Sequence, residues 1–189
     1  MSEAPAKKAK LEARSITIGT DMISSVITLQ KARPWYMDDK EGSNLAKDNE
    51  VSLKEIFDGS KVAVFGVPAP FTGTCTNEHW PGYNENADAI LKEADKLICY
   101  AVSDPYAHHA WGKALGNDFS KIEFLADDDG SFAKAYGLEF DCNVVSLGTR
   151  AKRFSMFVDN GNVKFFQLVE DAKKDAATLL QGIKDLKDE

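Results

Sequence analysis

Cys75 stands in the run Val67-Pro68-Ala69-Pro70-Phe71-Thr72-Gly73-Thr74-Cys75-Thr76, between a continuous apolar stretch and a helical pattern. That setting predicts a thiol near a helix N-terminus at the C-terminal end of a strand, where α/β sheets usually put their sites. Unpaired backbone N–H groups and the helix dipole favour a thiolate there, and the thiolate is the nucleophilic form of sulfur. Pro68 and Pro70 stiffen the approach, so the sulfur can be held in one position. His79 lies four residues on and suggests a Cys–His nucleophile pair. No orienting partner for it is evident, so a local packing or capping role is the favoured reading of His79.

The remaining cysteines are Cys99, in Leu97-Ile98-Cys99-Tyr100-Ala101-Val102, and Cys142, in the loop-like Phe140-Asp141-Cys142-Asn143. Three cysteines with such wide spacing do not make a disulfide framework. They lack zinc-site spacing too, since no Cys-x-x-Cys or His-x-x-x-His pair occurs.

The elements that must position Cys75 follow from hydrophobic pattern. Residues 62–67 and 97–102 are continuous apolar runs of buried-strand length. Between them Tyr83, Ala87, Ile90, Leu91 and Ala94 recur at helical spacing on one face. Asp104-Pro105 offers an N-cap with proline at the first helical position, and Gly116 can end that helix. Residues 122–126 read as a third strand and 131–136 as a short helix. Residues 154–158 and 163–168 flank Asp159-Asn160-Gly161, a hairpin signal, and 176–186 close the chain as a helix. Upstream, residues 15–29 supply one or two short strands, residues 33–50 read as a long loop, and Ser52 with Glu55 forms a capping box over a short helix that Asp58-Gly59 closes. The expectation is one α/β domain over residues 15–189, with a mixed sheet flanked by helices in the order of thioredoxin-like folds, behind a disordered polar tail of residues 1–14.

Composition narrows the function classes. The chain has 189 residues, 43% hydrophobic and 28% charged, and a net charge of −7. That charge argues against nucleic-acid binding, because the phosphate backbone would be repelled. No apolar run is long enough for a membrane span. The N-terminus lacks the apolar core of a secretory signal, which leads to the expectation of a cytoplasmic protein. Lys7, Lys8 and Lys10 form a short basic cluster that could serve nuclear entry, although such tails are more often simply solvated.

Pro68-x-x-x-Thr72-x-x-Cys75 resembles the active-site motif of peroxiredoxins. Phe65-Gly66-Val67-Pro68, Cys75-x-x-x-His79-x-Pro81-Gly82, Ser103-Asp104-Pro105, Trp111-Gly112-Lys113 and Lys152-Arg153-Phe154-Ser155-Met156 resemble the type II, redoxin-like branch. The match runs from about Val51 to the C-terminus. Carried over, it implies that Cys75 is the peroxidatic cysteine, attacking a peroxide oxygen and becoming a sulfenic acid. Thr72 would hydrogen-bond peroxide and thiolate, Arg153 would hold the thiolate and the charge developing on the departing oxygen, and Pro68 would shield the sulfenate. Cys99 falls near the place where plant-type members carry a resolving cysteine; a buried core cysteine is an equal reading. Hydrogen peroxide and small organic hydroperoxides would be the substrates, with thioredoxin, glutaredoxin or glutathione as reductant. The resemblance further implies a homodimer and a reaction without metal, haem or other cofactor.

Elementary chemistry says where the catalytic power must lie. A free thiol of pKa near 8.5 is about 3% thiolate at pH 7, so full ionisation gains at most about 30-fold, or about 2 kcal/mol. Most acceleration must therefore come from groups aimed at the breaking O–O bond. Blander roles stand beside these: Thr72 as a helix cap, Arg153 as a surface ion-pair residue, Cys75 as an inert core thiol. Rival functions fare worse. A thioredoxin-like reductase needs a thiol where Thr72 stands, a cysteine hydrolase needs a clear Cys–His–Asn/Asp set, and a non-enzymatic interaction protein would not need the Cys75 thiol.

Overall fold

The computed structural model describes residues 15–34 and 45–187. In chain order the elements are β1 (Thr28–Lys31), α1 (Leu45–Asn49), β2 (Glu50–Ser52), α2 (Leu53–Phe57), β3 (Lys61–Val67), α3 (Trp80–Leu91), β4 (Lys96–Ala101), α4 (Pro105–Ala114), β5 (Ile122–Ala126), α5 (Ser131–Ala135), β6 (Glu139–Asp141), β7 (Thr149–Ala151), β8 (Phe154–Asp159), β9 (Asn162–Leu168) and α6 (Asp175–Asp185). Seven strands form one sheet in the order β2-β1-β5-β4-β3-β8-β9. β3, β4 and β5 are parallel, and β8, β9, β1 and β2 join antiparallel at the flanks.

The central strands are apolar throughout because both of their faces are covered. Along β3, Val62 and Val64 enter one core, which Leu53, Ile56 and Phe57 of α2 and Phe132 and Ala133 of α5 complete. Ala63, Phe65 and Val67 enter the other, built with α3, α4 and α6. The alternation is the two-residue period of a strand read on both sides. Cys99 follows it on β4: with Leu97 and Ala101 it faces the same core as Cys75.

Local signals account for the boundaries. Asp104 accepts hydrogen bonds from the backbone N–H groups of Tyr106 and Ala107 at 3.0 and 2.8 Å, capping α4. Ser52 and Glu55 make the reciprocal capping box of α2. In the β8–β9 turn both Asn160 (φ 46°) and Gly161 (φ 79°) are left-handed, the conformation Asn-Gly adopts cheaply in a two-residue hairpin.

The span read as a loop, residues 33–50, departs from that reading. Residues 45–49 form α1, and Glu50 opens β2, which pairs with β1 through Thr28↔Ser52, Leu29↔Val51 and Gln30↔Glu50. Three residues are too few for an alternating pattern to stand out, and the pairing comes from a distant segment. Residues 35–44 of that span, the tail of residues 1–14 and its Lys7, Lys8 and Lys10 lie outside the described residues. β6 and β7, a separate two-stranded ribbon, were likewise missing from the sequence pattern, for the same reason of length. Among the described residues no helix is long and apolar enough to cross a membrane.

Candidate active site

Cys75 sits just past the C-terminal end of β3, in the first turn of the helix that continues as α3. The helical backbone starts at Gly73, and the Thr76 N–H donates to the Thr72 carbonyl at 2.9 Å. From Cys75 to His79 the turn widens into a π-helix, with the Trp80 N–H reaching back to the Cys75 carbonyl. Pro81 gives the physical reason. It brings no N–H, and in a regular α-turn its ring would crowd the Asn77 carbonyl. The widened turn directs Cys75 and His79 inward; they are 1% and 0% exposed. Trp111 of α4 steadies the turn from the side, its indole N–H donating to Thr76 Oγ1 at 3.1 Å.

Arg153 stands immediately before β8, the strand paired with β3. Its flanks are pinned: the Lys152 N–H donates to the Leu138 carbonyl at 2.7 Å, and the Arg153 carbonyl accepts from the Val169 N–H at 3.0 Å. Phe154, the next residue, pairs with Gly66 of β3. Its ring occupies the space a Cβ at position 66 would need, so only glycine lets β8 approach this closely. The half-buried guanidinium then spans two groups. Nη2 donates to Cys75 Sγ at 3.2 Å, and Nη1 donates to His79 Nδ1 at 3.0 Å.

Behind His79 lies a buried polar cluster. His79 Nε2 is 2.7 Å from Asp175 Oδ2. Tyr83 Oη donates to the same oxygen at 2.5 Å, and Ser155 Oγ and Gln167 Nε2 each donate to Oδ1 at 2.6 Å. Burial by itself would raise the Asp175 pKa, but bonds from His79, Ser155 and Tyr83 outweigh it and hold the carboxyl below its ordinary range. Burial lowers the His79 pKa, with Arg153 adding to the fall and Asp175 opposing it. Phe65 stacks on Tyr83 at 3.8 Å and meets the His79 ring edge-on, fixing both rings.

The structure thus brings together Cys75 and Arg153, and it supplies the orienting partner that His79 had lacked. Asp175 is the residue that sequence reasoning missed. A signal existed: it opens the inward face of α6 formed by Ala176, Leu179, Leu180 and Ile183, an acid where the pattern asks for an apolar side chain. Thr72 differs from its expected contact, since its hydroxyl donates to the Ala69 carbonyl at 2.9 Å within its own loop. With the proton so engaged, the oxygen's lone pairs are what Thr72 can offer an incoming O–H. Pro68, half-buried, opens this loop after β3, and Phe71, 60% exposed with φ 59°, carries its backbone strain.

Burial does not separate the three cysteines; among the described residues it is Cys75 whose sulfur receives the Arg153 hydrogen bond. Cys99 is 0% exposed in the middle of β4, between Phe65 of β3 and Phe124 of β5, and burial pushes its thiol pKa well up. Cys142 is 5% exposed, and its backbone is tied into the turn between β6 and β7 by bonds with Gly148, Val145 and Leu147.

Comparison with known proteins identifies the family. The sequence profile of the Redoxin family matches residues 37–180. Peroxiredoxin-2F, mitochondrial, of Oryza sativa is 41% identical over 175 residues, covering 91% of this chain and 85% of the relative. The Arabidopsis thaliana protein of the same name is 40% identical over 160 residues, covering 83% and 76%. Among solved structures, reduced Prx3 of Vibrio vulnificus in complex with hydrogen peroxide superposes with a TM-score of 0.75 at 29% identity, covering 92% of this chain and 99% of that one. The expected cytoplasmic location is corrected by these relatives, two of which are named as mitochondrial. The error has a physical origin: an apolar core is the mark of a secretory signal only, whereas mitochondrial transit segments are amphipathic and Arg-rich.

Proposed function

The chain belongs to the redoxin family, as a type II peroxiredoxin and so a thiol-dependent peroxidase, and from that premise we propose the following cycle. The Cys75 thiolate attacks the terminal oxygen of hydrogen peroxide or a small organic hydroperoxide. An S–O bond forms, the O–O bond breaks, and Cys75 is left as a sulfenic acid while the departing alkoxide or hydroxide takes a proton. The observation that carries this reading is the Arg153 Nη2 donor 3.2 Å from Cys75 Sγ, at the head of a helix. A fixed cation there stabilises the thiolate and the negative charge that moves onto the leaving oxygen. Thr72 accepts the peroxide O–H, which orients the substrate in line with sulfur, and Pro68 limits access to the sulfenate.

Reduction of the sulfenic acid is assigned to an external thiol, glutathione, glutaredoxin or thioredoxin. Its sulfur forms a mixed disulfide with Cys75 and releases water; a second thiol then frees Cys75. The backbone placement of Cys99, mid-strand in β4, and of Cys142, tied into the β6–β7 turn, supports this over an internal disulfide, because a disulfide needs Cα atoms within about 7 Å and backbone free to approach. Mitochondrial residence is inferred from the named relatives. A homodimer is part of the reading as well: Phe140, Val144 and Val145 are 47%, 96% and 62% exposed, an apolar segment that a second copy would cover.

Peroxide-consumption assays of wild type, Cys75→Ser and Cys99→Ser with each reductant test the cycle. Wild type and Cys99→Ser are expected to turn over and Cys75→Ser to be inert. Mass spectrometry after one equivalent of peroxide is expected to show an oxidised Cys75 that glutathione captures; a Cys75–Cys99 linkage would overturn the external-thiol step. Sedimentation velocity reads the dimer directly.

A further inference from the structure

The peroxidase reading uses Cys75, Thr72, Pro68 and Arg153, but leaves unexplained a fully buried histidine–carboxylate pair touching Arg153. His79 and Asp175 are both 0% exposed at their side chains. A buried carboxylate in that position is costly unless every polar atom is satisfied. Here the inventory closes. A carboxylate offers about four acceptor sites, and Asp175 receives four donors: His79 and Tyr83 on Oδ2, Ser155 and Gln167 on Oδ1.

The hydrogen-bond partners dictate where His79 carries its proton. A guanidinium has donors and no acceptor, so His79 Nδ1, 3.0 Å from Arg153 Nη1, must present its lone pair. The ring's proton then resides on Nε2, where it is donated to Asp175. We propose that Asp175 and His79 act together as a positioning pair for Arg153. The carboxylate locks the imidazole in the Nε2–H tautomer, and the Nδ1 lone pair holds one arm of the guanidinium so that the other arm faces Cys75 Sγ. This rests on Cys75 being the peroxidatic sulfur. It adds the device that keeps Arg153 aimed while peroxide enters and the leaving oxygen departs.

The arrangement makes a sharp statement about Asp175→Asn. Ser155 Oγ and Gln167 Nε2 both donate at Oδ1, so with those partners kept the new amide turns its oxygen toward them and its NH2 toward His79. His79 Nε2 then has to accept, and the proton moves to Nδ1, where it confronts the Arg153 N–H. The guanidinium is pushed off its contact although the core keeps nearly the same shape, as a wrong tautomer disables other catalytic histidines. His79→Asn behaves differently. Its side-chain oxygen lies near the position of Nδ1 and can accept from Arg153, and it has no tautomer to invert.

The test uses the full, reduced chain with 15N-labelled histidine. Long-range proton–nitrogen correlation of His79, assigned by its loss in His79→Asn, is expected to show Nε2–H in wild type and Nδ1–H in Asp175→Asn. The rate of Cys75 oxidation by hydrogen peroxide is expected to fall on the order of 10- to 100-fold in Asp175→Asn. It should fall similarly in His79→Leu, and recover most of the loss when His79→Asn is added to Asp175→Asn. Nδ1–H in wild type would overturn the proposal, and this needs no variant to fold. A tautomer that inverts without slowing oxidation would also overturn it, as would equal losses in His79→Leu and His79→Asn. Failure of the peroxidase reading looks different: wild type would not consume peroxide, whatever the tautomer of His79.

Discussion

At the scale of single residues, the site depends on one side chain having two arms. Arg153 donates from separate nitrogens to Cys75 and His79. Lysine keeps the charge but has one nitrogen, so it cannot serve both partners from a planar fork. Arg153→Lys is therefore expected to slow peroxide oxidation of Cys75 by on the order of 100-fold, the size seen when one preorganised donor is lost. Stopped-flow measurement of the second-order rate constant reads this directly. Thr72 makes a related prediction. Thr72→Ser keeps both the bond to Ala69 and the lone pairs, and should retain most of the rate. Thr72→Val removes both, and should lose it on a scale like that of Arg153→Lys. Equal rates for the serine and valine variants would reduce Thr72 to a loop residue.

At the scale of elements, geometry is transmitted to Arg153 through the pairing of β3 with β8. Gly66 lies under the Phe154 ring, one residue from Arg153. Gly66→Ala must push β8 outward, with an overpacking cost of about 1–3 kcal/mol. Denaturant unfolding should show that loss, and peroxide oxidation should slow because Arg153 shifts with Phe154. The elements were also where the sequence was most informative. β3 was read as 62–67, β5 as 122–126, the β8–β9 hairpin by its Asn-Gly turn and α4 by Asp104-Pro105, since each carries a strong local signal. β2, β6 and β7, three residues each, were not legible, because their pairing is decided by partners far away in the chain. The candidate site divides in the same way. Cys75, Thr72 and Pro68 share one short motif, and Arg153 was reached through resemblance. Asp175 is brought to His79 across 96 positions by the packing of α6 on α3. No local pattern announces that contact beyond the misplaced acid on an apolar face.

At the scale of the whole molecule, buried histidines tie stability to pH. His108 is fully buried between α4 and β4, and burial holds its pKa down at about 4. Its unfolded counterpart titrates near 6.5. The folded chain thus binds fewer protons between those values, so the contribution is fully present above about pH 6.5 and is lost as pH falls toward 4. The loss amounts to about 3 kcal/mol. Urea unfolding at pH 7 and pH 4 should show it. In His108→Leu the pH 7-to-4 difference should shrink by about that amount, whatever the variant's absolute stability. His79, lowered in the same direction, adds to the fall.

The bond from the Trp111 indole to Thr76 has a practical consequence. Thr76 is the immediate neighbour of Cys75, and Trp80, the first residue of α3, shares the same core as that sulfur. Two indoles thus flank the turn whose sulfur the proposed cycle oxidises. Intrinsic fluorescence should step once when peroxide is added and step back when thiol is supplied, with no dye or coupled enzyme. Trp111→Phe and Trp80→Phe would apportion the signal between them. On the proposed cycle, the chain would carry its own optical gauge of turnover.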